Sequence, residues 1–140
     1  MTLTFGTPSA SVASFQLSVL VRSPFPAVLD ALREAIDMAG MNLLHEIDPQ
    51  GALRGAGQEM PAARLLFFFH RRLLARLLEL DQSAIVEAPL KLAAMELPDG
   101  SVSIRIADPA VALGRYGNPA LASFGEELSA ACRAIAAAAA

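Results

Sequence analysis

Cysteine occurs once in this chain, at Cys132, and tryptophan not at all. A lone thiol closes no disulfide within the chain and leaves no zinc or redox spacing to find. Histidine is almost as scarce: His45 and His70 are the two present. With no cysteine beside them and no carboxylate at ligand spacing, they do not make a zinc site. Glycines are present but not in a dinucleotide or phosphate-loop pattern, and no lysine follows them. No apolar run is long enough to span a bilayer. The opening stretch MTLTFGTPSASVAS lacks the basic and apolar regions of a secretion signal, so a cytoplasmic location is the expectation. Charge is also in short supply. A formal net charge of -3 argues for no particular partner, and neither nucleic acid nor membrane is expected as one. Arg64, Arg71, Arg72 and Arg76 cluster locally, and on a helix they read as a solvated face.

What remains is an apolar chain of 140 residues, long enough for one domain with a core of its own. Its 54% hydrophobic content overstates that core, because much of it is alanine near the C-terminus. Residues 1–13 read as a flexible lead-in and residues 14–137 as a single domain.

The most legible stretch is Ala88 to Pro109. Val102, Ile104 and Ile106 alternate with Ser101, Ser103 and Arg105, the period of a strand with one apolar face. Pro98-Asp99-Gly100 supplies a turn before it. Asp108-Pro109 reads as a helix cap followed by proline at the first helical position. Earlier in the chain, Phe15 to Val21 alternates as a first strand. Ser23-Pro24 reads as an N-cap with proline in the first turn of a helix running to about Ala39. Met41 to Ile47 gives a second strand, with Met41, Leu43, His45 and Ile47 on one face. Asp48 to Pro61 reads as a loop beside a surface or cleft, with room for one helical turn around Gln50 to Leu53. Ala62 to Phe69 is continuously apolar and reads as a central strand buried on both faces. Leu73, Leu74, Leu77 and Leu78 give the next helix its stripe. Asn118-Pro119 starts the last helix, with Leu121, Phe124, Leu128, Ala131 and Ile135 inward.

The class is therefore α+β: one two-layer sandwich, a mostly antiparallel sheet with helices on one face. In the strand after Pro89, Leu90, Leu92 and Ala94 face one way. Lys91, Ala93, Met95 and Leu97 face the other, and three of these four are apolar. An antiparallel sheet with one face in water is polar there. Either the glycine-rich loop covers this second face or it is an interface, and a homodimer is the expected assembly.

A resemblance enters on these residues. Ala88-Pro89-Leu90-Lys91, then Asp99-Gly100, then Ala107-Asp108-Pro109 and Tyr116-Gly117, resemble in order the short motifs of the DUF302 family. Gly40, the Ile47-Asp48 strand exit and the entry Pro61-Ala62-Ala63-Arg64-Leu65-Leu66 agree. The likeness runs from about Phe15 to Ile135. It implies a TBP-like α+β sandwich with a curved antiparallel sheet, similar in architecture to the homodimeric TT1751-like proteins. It brings no catalytic residues. The chain departs from the pattern in three places. It has Asp48-Pro49 where the family often has Asp-His. It has Phe69-His70-Arg71 where a Gly-Asn-Pro step often stands, and Ile106 where a tyrosine precedes the Asp-Pro step.

Three functional readings follow. The first is a non-catalytic homodimeric module that binds a small apolar ligand or a partner protein, with Phe67, Phe68 and Phe69 available to line a cavity under the helices. The second is a haem- or metal-binding protein using His70 or His45 as ligand. The tentative ligand-binding set across these two is Phe67, Phe69, His70 and His45, and no cofactor is specified. The third is an enzyme of unknown reaction. His70, Glu87, Asp99 and Asp108 offer titratable groups, but no motif joins them to an activated nucleophile.

Overall fold

The computed structural model describes residues 13–140, so the lead-in expected over residues 1–13 lies, apart from Ala13, outside the described residues. Five strands form one open antiparallel sheet: β1 (Gln16–Val21), β2 (Asn42–Ile47), β3 (Ala63–Phe69), β4 (Leu90–Glu96) and β5 (Val102–Ala107). Their spatial order is β1-β5-β4-β3-β2. The helices are α1 (Phe25–Met38), α2 (Pro49–Gly55), α3 (Arg71–Leu80), α4 (Pro109–Gly114) and α5 (Pro119–Ala138), with a 3-10 turn over Gln82–Glu87.

The alternation in β5 decides which face is covered. Val102, Ile104 and Ile106 are all buried, and cross-strand pairing aligns them with Val21 on one side and with Leu92 and Ala94 on the other. Leu66 and Phe68 of β3 extend the same face. Onto it pack Val28, Leu29, Leu32 and Ile36 of α1, and Leu121, Phe124, Leu128, Cys132 and Ile135 of α5. A single core results, with helices on one side of the sheet, as an α+β pattern with hairpin-linked strands requires. Arg33 fastens α1 to the edge strand. Its Nε and Nη2 donate to the two carboxylate oxygens of Glu46 at 2.9 and 2.8 Å. That fork holds the Glu46 carboxyl below its usual range, although both side chains remain partly solvated and the pair adds little to stability.

The turn between β4 and β5 forms where Pro98-Asp99-Gly100 indicates. Gly100 N–H donates to Leu97 O at 2.9 Å, and Gly100 sits at φ +83°, where a side chain would be strained. Asp99 Oδ1 accepts from both Ser101 N–H and Ser101 Oγ. Asp108 and Asn118 cap their helices as expected, accepting from Ala110 N and from Ala120 N and Leu121 N.

Four expectations need correction. The first helix is not capped by Ser23: Pro24 is the N-cap and no side chain caps the helix. Proline also fills the second helical position, removing an N–H that a serine hydroxyl would have accepted. The stretch after β2 is a helix, α2, because Asp48-Pro49 is itself a cap and first-position proline, with Asp48 Oδ1 accepting from Gly51 N at 2.9 Å. The apolar run of β3 is an interior strand between β4 and β2, but it is not buried on both faces: Leu65 and Phe67 are half-buried on the face opposite the core helices. Finally, His45 does not share a face with Leu43. The register slips between them, so Leu43 pairs with Phe68 on the helix side and His45 with Phe67 on the other. An extra residue in one strand of a pair reverses the facing of all that follow it.

Candidate functional site

The C-terminal end of β3, the N-terminal end of β4 and the C-terminal end of β5 lie side by side, because antiparallel pairing brings them to the same edge of the sheet. Here Asp108 turns the chain out of β5 into α4, and the 3-10 turn delivers it through Ala88-Pro89 into β4. Between these elements lies a cavity of about 370 Å³. Phe67 and Phe69 line it from β3, Leu77 from α3, Leu90 from β4, Leu113 from α4 and Leu128 from α5. Phe15, Val86 and Val111 line it as well, and they are 55%, 77% and 37% exposed. Large apolar side chains are thus left in water around one cavity, an arrangement that marks binding surfaces more often than ordinary surface.

Four charged residues also line the cavity: Glu87, Lys91, Asp108 and Arg115. Glu87 Oε1 accepts from Tyr116 Oη at 3.0 Å and lies 3.9 Å from Arg115 Nη2. The same contact, together with desolvation as the larger cause, raises the Tyr116 hydroxyl above the usual phenol range. Asp108 spends one carboxylate oxygen on its helix cap. Lys91 makes no ion pair with any described residue.

The structure therefore brings Phe67 and Phe69 together at one cavity and leaves both histidines outside its lining. His45 is exposed on β2, its ring tilted 38° to Phe67 with centroids 6.3 Å apart. His70 is the N-cap of α3, its Nδ1 accepting from Arg72 N at 3.0 Å. No group of three histidine, cysteine or acidic side chains is placed to hold a metal among the described residues. Of the acids open to an enzyme reading, Glu87 and Asp108 reach the cavity, while Asp99 stays in its turn at the far end of β4. Phe68 faces the core on the other side of the sheet. The arginine cluster disperses. Arg64 pairs with Asp48 at 3.0 Å, and Arg76 pairs with Glu127 at 2.6 Å while lying 4.6 Å over the Phe124 ring.

Lys91, Arg115, Val86 and Val111 were not singled out as site residues. One signal for Lys91 was available: it is the only charge in the otherwise apolar run Leu90-Lys91-Leu92-Ala93-Ala94-Met95. The others sit on separate elements that only the tertiary fold brings together.

Cys132 belongs to the core. It is fully buried on α5, and burial, with a smaller contribution from Asp108, pushes its thiol up to about 12. The unfolded thiol ionises near its ordinary 9.0. Between those values the native state binds the extra proton, so stability falls as pH rises. This one group lowers it by about 1.4 kcal/mol per pH unit in that window. Urea midpoints at pH 8 and pH 10 are expected to separate further for wild type than for Cys132→Ala, since other titrations are common to both. Equal separations would show that the thiol ionises in the folded state.

Comparison with known proteins now bears on the fold. The family described as a domain of unknown function, DUF302, matches residues 17–139. The chain belongs to the DUF302 family. A structure described as the crystal structure of an uncharacterized conserved DUF302 protein from Bacillus stearothermophilus matches with a TM-score of 0.84 at 19% identity. The match covers 91% of this chain and 100% of that one. At so low an identity, what the DUF302 chains share is the fold: the five-stranded antiparallel sheet with its helices. No curated protein sequence matches this chain. No helix among the described residues is long and apolar enough to cross a membrane.

Proposed function

We propose that this DUF302 chain is a non-catalytic, homodimeric binding module whose cavity takes a small, mostly apolar molecule. The observation that carries the reading is the cavity, with aromatic and aliphatic walls and the exposed rim of Phe15, Val86 and Val111. Its volume of about 370 Å³ lies at the lower end of the range for small-molecule sites.

Support for a two-fold assembly comes from the sheet face opposite the core helices, where Ala63 and Ser103 are buried and larger apolar side chains beside them are not. Ala63, Met95, Ser103 and Leu20 form one cross-strand row. Ile47, Leu65, Ala93, Arg105 and Ser18 form the next. Leu20 and Ile47 are 53% and 38% exposed, and Met95, Leu65 and Ala93 half-buried. The row through Ala93 adjoins the Phe67–Lys91 pair of the cavity lining, and the row through Met95 lies one row further from it.

The cavity reading is tested with N-phenyl-1-naphthylamine, an uncharged probe that brightens in apolar surroundings. Saturable binding at one probe per chain is expected. It should be lost in Ala107→Trp, which adds bulk at an exposed position on the cavity lining. Absent or unsaturable binding, or binding indifferent to that substitution, overturns the reading.

A further inference from the structure

Resting on the reading of the cavity as a ligand site, we infer that its ligand is a small apolar monocarboxylic acid whose carboxylate is held by Lys91. The argument is one of charge and position. Lys91 stands on β4 directly across from Phe67, so cation and aromatic wall sit on neighbouring strands of the same cavity. The other charges of the lining are already answered. Glu87 is engaged by Tyr116 and Arg115, and Asp108 caps α4. Lys91 is left without an ion pair among the described residues. A lysine ammonium beside an apolar recess favours a ligand that ends in an anion and carries no other polar group to desolvate. A carboxylate sets one charge against the one ammonium left unpaired among the described residues, whereas a phosphate dianion leaves its second charge unanswered. An alkylammonium would meet Lys91 with like charge. The unanswered lysine therefore sets both the sign of the ligand and the end at which it is held.

The experiment is displacement of N-phenyl-1-naphthylamine from wild type, Lys91→Gln and Lys91→Arg by octanoate, 1-octanol and octylammonium at pH 7.5 and low salt. Lys91 is exposed, so its replacement leaves the core intact. Octanoate is expected to displace the probe at concentrations at least tenfold lower than octanol does. Lys91→Gln should abolish that preference while leaving octanol unchanged, and Lys91→Arg should retain it. Equal potency of octanoate and octanol, or a preference that survives Lys91→Gln, overturns the assignment of a carboxylate at Lys91 while the cavity reading stands. Octylammonium as the strongest competitor overturns it as well. Failure of wild type to bind the probe at all overturns both.

Discussion

Replacing Gly125 is expected to destabilise this protein more than any other exchange of a small residue in its helices. Gly125 is buried in α5 where α4 crosses it. A Cβ built there would lie 2.9 Å from Pro109 O, 3.1 Å from Leu113 Cβ and 3.2 Å from Ala110 Cα. Two of these neighbours are backbone atoms, so no rotamer change relieves the overlap, and α4 as a whole must move. Against that stands the intrinsic gain of replacing glycine in a helix, about 1 kcal/mol for alanine. The clash outweighs it, because overpacking a rigid contact costs about 1–3 kcal/mol even for small additions. Gly125→Ala is therefore expected to lose up to about 2 kcal/mol net, and Gly125→Leu more than about 3. Gly114→Ala is the control: a Cβ there meets nothing within 4 Å, so the propensity gain is not opposed. Urea unfolding of the three variants checks this. Gly125→Ala as stable as Gly114→Ala would show that α4 and α5 have slack between them. Because Pro109, Val111, Ala112 and Leu113 of α4 line the cavity, Gly125→Leu is also expected to lose probe binding at concentrations of urea where it remains folded.

That contact shows what a sequence conceals. Gly125 sits in the pattern Phe124-Gly125-Glu126 with nothing to distinguish it from a tolerated helical glycine, since close approach of two backbones is a tertiary fact. The elements themselves were legible wherever one physical signal dominated. Val102, Ile104 and Ile106 alternate without interruption, and Asp108-Pro109 and Asn118-Pro119 satisfy the same orphan N–H groups that any helix start must satisfy. Reading failed where two signals competed. At Asp48-Pro49 the cap prevailed over the glycines that follow, giving α2. At Ser23 the prolines on either side of Phe25 displaced the cap. At Leu44 a register slip broke the parity that had grouped His45 with Leu43.

The candidate site was legible in one wall only. Phe67 and Phe69 could be named because three successive phenylalanines are conspicuous. Their partners come from Phe15, the 3-10 turn, β4, α4 and α5, as far apart in sequence as Phe15 and Leu128. Each of those residues alone reads as ordinary core or surface. Scarcity drew attention to the histidines, yet His70 owes its position to capping α3 and His45 to an exposed edge strand. A rare residue type is conspicuous without being placed where chemistry happens.

On the proposed two-fold contact, wild type is expected to be a dimer and Met95→Asp a monomer. Ala93, Met95 and Leu65 share the sheet face that no core helix covers, with Leu20 and Ile47 exposed beside them. Ala63 and Ser103 are already buried within that face, so the apolar positions still open are Leu20 and Ile47 with Met95, Leu65 and Ala93 half-buried between them, and the proposed two-fold contact buries these against their own copy. A standard interface covers about 1,200–2,000 Å² in total. Arg105 lies in the same face with its guanidinium 3.4 Å from Ser103 Oγ and Gln16 Oε1, and its desolvation is a cost that the apolar contact offsets. A two-fold axis doubles the effect of one substitution, since each chain brings its own aspartate into the contact. With about 2 kcal/mol or more for each carboxylate desolvated without a partner, the loss reaches about 4 kcal/mol. That corresponds to roughly a thousandfold weaker association. The folded chain itself should be little affected, because Met95 is not part of the buried core and an aspartate there points to water once the partner is gone. Sedimentation velocity at matched concentrations is the measurement. Wild type is expected at twice 14.7 kDa and Met95→Asp at 14.7 kDa. Leu20→Asp, in the same cross-strand row, should behave likewise, and Lys91→Gln should remain dimeric. A wild type that sediments as a monomer, or a Met95→Asp that stays a dimer, would place the two-fold contact elsewhere or remove it.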